Sequence, residues 1–248
     1  MKETMIRGGR WMFVLFAFMI FFSIYVQKQQ ETQAVGAQPD AGAENVQPDS
    51  QDAAAQSDIE EDSMPQKIAL TFDDGPHPVY TQKLLEGLRQ RGVKATFFVV
   101  GENIPGREEL IRQMAEDGHL IGNHTYDHAD VSKMSSEKVC EELQKTSDLV
   151  EEITGQATPY VRPPFGNWDD DLDCLISMIP VRWTIDPLDW TTANTAQIVD
   201  KVVTKASDND IILLHDYYES SVEAALQIVD ILQARGFVFV TVEELLLE

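Results

Sequence analysis

Lys67-Ile68-Ala69-Leu70-Thr71-Phe72, followed at once by Asp73-Asp74-Gly75-Pro76, is the stretch on which the fold turns. A short apolar run closed by a turn sequence reads as a buried strand. Residues 81–91 then read as a helix, with Leu84, Leu85 and Leu88 on one face. Residues 93–100, rich in Val and Phe, read as a second strand. The alternation continues: helix 107–117 closed by Gly118, strand 119–122, and helix 135–154 with Val139, Leu143, Val150 and Ile153 at helical spacing. Strand 160–162, helix 170–178, strand 181–185, helix 195–206, strand 210–214, helix 222–234, strand 237–240 and a short helix 243–247 complete the pattern. Strands that alternate with helices build a parallel sheet. A full eightfold barrel takes about 250 residues, so residues 66–248 predict an α/β fold: a distorted, incomplete (β/α) barrel of about seven parallel strands. No glycine-rich phosphate loop follows the first strand, which removes the nucleotide-binding form of the class.

Residues 1–26 differ in kind. Lys2, Arg7 and Arg10 precede an apolar run over residues 11–26, interrupted only by Ser23 and the hydroxyl of Tyr25. Positive charge before such a run sends the following chain across a membrane. At 16 residues the run lies between a signal peptide and a spanning helix. The nearest small-residue cleavage candidate, residues 34–37, lies behind a polar stretch, which favours an uncleaved single-pass membrane anchor over secretion after cleavage. Residues 27–65 carry nine acids against Lys28 and have no apolar periodicity. Such a segment cannot bury enough surface to order itself and reads as a disordered, extended linker. The net charge of −23 argues against nucleic acid as a partner. A neutral sugar carries no such penalty, and a monomer suffices. Cys140 and Cys174 sit on separate expected helices without close spacing, so two free thiols are expected although export would permit a disulfide.

The ionisable residues cluster where strands end. Asp73 and Asp74 follow the first strand, His124 and His128 the third, Arg162 ends the fourth, Asp186 follows the fifth and His215 the sixth. In α/β barrels the C-terminal strand ends form the active-site face. His124 and His128, four apart, can share a metal, though such a pair is also common on ordinary loops. Asp-Asp-Gly-Pro is also a good turn sequence in its own right. Together the two features allow a two-histidine, one-carboxylate centre with a second carboxylate beside it as base. His77 could line a substrate rim; His119, at a strand start, reads as structural.

Five of these segments resemble, in order, the motifs of the polysaccharide deacetylases (carbohydrate esterase family 4, the NodB-homology fold). They are Thr71-Phe72-Asp73-Asp74-Gly75-Pro76, His124-Thr125-Tyr126-Asp127-His128, Arg162-Pro163-Pro164-Phe165, Asp186-Pro187-Leu188-Asp189-Trp190 and Leu213-Leu214-His215. The resemblance spans residues 66–246 and implies a metal-dependent N-deacetylase. Asp74, His124 and His128 would hold one divalent ion. Zinc suits these ligands, and cobalt, manganese or nickel would also fit. Asp73 would be the general base, oriented by Arg162, and His215 the general acid, oriented by Asp186 in preference to Asp189. Phe165, where the family often has Tyr, would give a backbone N–H to the oxyanion, and Trp190 would shape the acetyl pocket. The expected substrate is a polysaccharide of N-acetylated amino sugars, with peptidoglycan ahead of chitin oligomers. O-acetyl-xylan ester hydrolysis, a non-catalytic sugar-binding relic and a tethered structural protein are the rivals.

Overall fold

A computed structural model of the chain describes residues 65–168, 174 and 178–247. The apolar run 11–26, nearly all of the linker 27–65 and, but for two positions, the helix expected at 170–178 lie outside the described residues. Strand β1 (Lys67–Asp73) is buried at every position after Lys67. Helix α1 (Tyr80–Arg91) buries Leu84, Leu85 and Leu88, as its periodicity predicts, and stops at Gly92. Gly92 has φ 63°, a left-handed conformation that glycine adopts without a Cβ clash. The order continues as β2 (Thr96–Val99), α2 (Glu108–Glu116), β3 (Leu120–Asn123), α3 (Ser136–Thr154), β4 (Tyr160–Val161) and β5 (Ile179–Pro180). Then come α4 (Thr195–Val203), β6 (Asp210–His215), α5 (Glu219–Ala234), β7 (Val238–Val240) and α6 (Val242–Leu246).

Seven strands among the described residues form one sheet in the order β5-β4-β3-β2-β1-β6, with β7 also on β1. Every pairing is parallel. β6 runs along β1 from Ile68 to Asp73. β2 and β7 therefore share the other edge of β1, β2 beside Thr71–Asp73 and β7 beside Lys67–Ala69. Side chains alternate across a strand. Ile68, Leu70 and Phe72 join the large core shared with α1 and α5, while Ala69 faces an inner cluster with Phe98, Tyr160 and Val181. Thr71 and Asp73 share the inner face with Ala69. Each fully buried Leu contributes about 1.5–3 kcal/mol, so α1 is held mainly by its apolar stripe.

Three expectations need correction. The strand expected at 181–185 is not one strand. β5 lies just before it, and residues 181–185 cross the gap between β4 and β6: Val181 N–H donates to Val161 C=O (2.8 Å) and Leu213 N–H to Ile185 C=O (2.9 Å). This crossing, with the Ile185–Ile212 bridge, closes the curled sheet on that side. The expected second strand begins late, because Val93 N–H still bonds to Leu88 C=O at the end of α1. Finally, Cys140 and Cys174 are not free thiols. They form a disulfide across a Cα separation of 5.4 Å, joining α3 to the segment between β4 and β5.

Candidate active site and metal centre

The sheet register brings the polar groups together. Asp73 stands directly opposite His215 across β1 and β6. Asn123, at the end of β3, pairs with Val161 of β4, so His124 and Arg162 leave neighbouring strands side by side. Asp73, Asp74, His124, His128 and His215, which leave three different strands, line one cavity of about 340 Å³.

Among the described residues Arg162 is the largest fully buried side chain. Its Nη1 donates to Asp73 Oδ1 (2.8 Å) and Thr71 Oγ1 (2.6 Å), and its Nε to Val181 C=O (3.2 Å). Its guanidinium lies 4.2 Å from the Phe98 ring centre. Burial works to lower its pKa, but Asp73 opposes that and balances the charge. Asp73 is thereby fixed with one oxygen on Arg162, and its Oδ2 lies 3.9 Å from His124 Nε2.

His124 Nδ1 lies 2.5 Å from Arg162 C=O. A carbonyl can only accept, so Nδ1 carries a proton and Nε2 is the ring nitrogen turned toward the carboxylates. His124 Nε2 stands 3.5 Å from Asp74 Oδ1, and His128 Nε2 stands 3.4 Å from the same oxygen. Asp74 Oδ1 is buried and accepts no hydrogen bond. Burial favours its protonated form, yet the imidazoles around it outweigh that and hold its pKa below the usual range. Burial first, and His124 next, lower the pKa of His128 and favour its neutral, ligating form. The three candidate ligand atoms lie within 4.8 Å of one another. A buried carboxylate oxygen without a hydrogen bond, facing the Nε2 atoms of two histidines, is a place that a divalent cation would fill, and this donor set suits one.

His215 has a different partner from the one expected. Its Nδ1 lies 2.8 Å from Asp189 Oδ1, and its backbone N–H donates to Asp189 Oδ2 (2.9 Å). Asp186 lines the cavity, but its Oδ1 accepts the Leu188 N–H (2.7 Å) and caps the turn that delivers Asp189. Assigning Asp186 as the orienting carboxylate is therefore corrected to Asp189. Burial pushes the His215 pKa down, but the Asp189 hydrogen bond and charge, with smaller help from Asp73 and Asp74, raise it to about 9.

Phe165 lies in the turn Pro164–Gly166 at φ 62°, is 66% exposed, and meets His128 edge-on at 5.1 Å. Trp190 is 56% exposed and lines the cavity. Trp183 and Tyr218 line it too, and the sequence reading missed both. Trp183 sits in the middle of the expected strand 181–185, where a large aromatic reads as core; Tyr218 had no signal. His77 packs edge-on against Tyr217 at 4.9 Å, outside the cavity lining. His119 is buried and accepts the Ala95 N–H at Nδ1 (3.1 Å), a structural place. Asp216, also missed, is wholly buried and accepts from Thr81 Oγ1. A Cβ at Gly75 would lie 2.4 Å from its carboxylate, so only glycine fits there. Burial above all raises the Asp216 pKa to about 7. A larger cavity of about 500 Å³, between Ser132, Trp168 and Arg182, holds none of the ligand set.

Comparison with known proteins agrees with this geometry. The sequence pattern of the polysaccharide deacetylase family matches residues 60–181. The peptidoglycan-N-acetylmuramic acid deacetylase PdaC of Bacillus subtilis is 38% identical over 72% of this chain, which spans 38% of that protein. Its solved structure superimposes with a TM-score of 0.71 at 37% identity, covering 73% of this chain and 90% of that one. The chitooligosaccharide deacetylase of a Bradyrhizobium species is 35% identical over 68% of this chain and 86% of its own length. A family 4 acetyl xylan esterase from Clostridium thermocellum, solved with a cobalt ion, aligns with a TM-score of 0.68 at 32% identity, over 73% and 90% of the two chains. The chain belongs to the polysaccharide deacetylase family. It spans only about two fifths of the length of the first peptidoglycan deacetylases it matches.

Proposed function

We propose that this chain hydrolyses the N-acetyl groups of amino sugars in a polysaccharide, peptidoglycan foremost, at a centre of Asp74, His124 and His128. The observation that carries it is the buried, unpartnered Asp74 Oδ1 facing two imidazoles, flanked by Asp73–Arg162 on one side and His215–Asp189 on the other. A divalent cation, zinc by its ligand chemistry, supplies Lewis-acid polarisation of a carbonyl and eases deprotonation of water. Asp73, pinned by Arg162, takes the proton of the attacking water. The Phe165 N–H gives a hydrogen bond to the developing oxyanion. Trp190, Trp183 and Leu213 pack around the acetyl group and exclude water. His215, kept protonated by Asp189, donates to the departing nitrogen, a step worth about 10²–10⁴-fold for such an acid. An amide needs that donation because a free amide anion is a very poor leaving group.

The Bacillus subtilis relative's name supports peptidoglycan, and the Bradyrhizobium relative's name keeps chitin oligomers as the alternative. Among the described residues no helix is long and apolar enough to cross a membrane. The proposed anchor rests on residues 11–26. The Cys140–Cys174 disulfide favours an oxidising, exported location for the catalytic domain. The test is acetate release from peptidoglycan, chitin oligomers and acetylated xylan, with products located by mass. No acetate from any N-acetylated glycan in the presence of zinc would end this reading.

A further inference from the structure

The loop that carries the two histidines is held in an unfavourable shape. Thr125 and His128 both have positive φ, 63° and 58°. Neither is glycine, and each such residue costs on the order of 1–2 kcal/mol. Something must hold this loop. On one side, Gly101 N–H donates to Thr125 C=O (3.0 Å) and Glu102 N–H to Tyr126 C=O (2.7 Å). On the other side stands Glu142, in the middle of α3. Its Oε2 accepts two successive loop N–H groups, from Tyr126 (2.9 Å) and Asp127 (2.9 Å). Those two residues lie between Thr125 and His128. α3 is itself fixed: Val139 and Leu143 are buried, and Asn123 at the end of β3 donates to Leu143 C=O (2.8 Å).

We infer that Glu142 is a positioning residue for the metal centre: its carboxylate oxygen gathers the Tyr126 and Asp127 N–H groups and so holds His128 where its Nε2 meets Asp74 and His124. This rests on the metal-centre reading above. Glu142 does not line the cavity that holds the ligand atoms. It acts through the loop backbone, and what matters is an acceptor oxygen at the right reach rather than its charge.

The test titrates zinc into metal-free, full-length protein in detergent, by competition with a chromophoric chelator. Amide exchange of Tyr126 and Asp127 is read in the same metal-free samples. Glu142→Ala is expected to weaken zinc about 10–100-fold, the usual scale for groups that orient ligands, and to speed exchange at both amides. Glu142→Gln keeps an acceptor oxygen at the same reach and is expected to stay close to wild type in both readouts. Glu142→Asp keeps the charge but draws the oxygen back by one methylene, so zinc is expected to weaken; this variant carries the test if alanine does not fold. Wild-type affinity and exchange in Glu142→Ala and Glu142→Asp would overturn the inference. So would a Glu142→Gln as weak as alanine, since charge would then be the cause. A wild-type protein that binds no zinc would overturn the metal centre itself, a separate result.

Discussion

His215 places both its ring Nδ1 and its backbone N–H on the Asp189 carboxylate. Raised to about 9, it is protonated across neutral pH. Activity that needs its proton is expected to hold to about pH 9 and fall above it. Asp189→Asn removes the charge and should move that alkaline limb to lower pH, whereas Asp186→Asn should leave it in place. A pH–rate profile of the three proteins decides, and an unmoved limb in Asp189→Asn would take His215 out of the acid role. The same raised pKa contributes stability that is full below the unfolded value of about 6.5 and is lost as pH rises toward 9. The two carboxylates of the 186–190 segment stand three residues apart, and sequence alone could not choose between them. The choice is made by Leu188 at φ 56°, a left-handed turn that no leucine advertises. Arg162 makes a second residue-scale prediction. Arg162→Met leaves Asp73 buried without its partner, and breaking such a pair costs about 3–5 kcal/mol. Adding Asp73→Asn leaves neither charge of this pair buried and should recover part of the loss in urea unfolding. Strict additivity of the two losses would contradict the coupling.

At the scale of elements, most helices and strands were legible because their apolar spacing survives into burial. Leu84, Leu85 and Leu88 of α1 and Val139, Leu143 and Val150 of α3 are all buried as read. α5 begins at Glu219, earlier than read, because its first turn is polar and its buried Ser221 carries no apolar signal. The disulfide was missed for a similar reason: 34 residues separate Cys140 from Cys174, and only the packing of α3 against the following segment brings them together. Closing a loop of that length is worth roughly 2–4 kcal/mol. Cys140→Ser is therefore expected to lower the melting temperature, and a reducing agent should lower the wild type toward the variant without changing the variant. Equal melting of wild type and variant under oxidising conditions would contradict the pairing.

At the scale of the molecule, parallel pairing delivers the C-terminal ends of β1, β3, β4 and β6 to one rim, where the site lies. That rim was legible because each strand in turn ends in Asp, His or Arg. The crossing at residues 181–185 was not, because most of its bonds to β4 and β6 are made by backbone and the one side chain that joins them, Thr184 on Ile211, is as common on a strand. The acidic whole, at −23, suits a substrate met by hydrogen bonds and aromatic contact rather than by charge. Everything in the proposed mechanism depends on a cation that Asp74, His124 and His128 would hold. The most direct measurement is acetate release from purified peptidoglycan by metal-stripped protein as zinc is returned. Activity should be absent at first, rise in proportion to zinc and level off at one ion per chain, while Asp74→Ala stays flat throughout. Full acetate release by the stripped protein, or recovery of Asp74→Ala along the wild-type curve, would contradict the central claim.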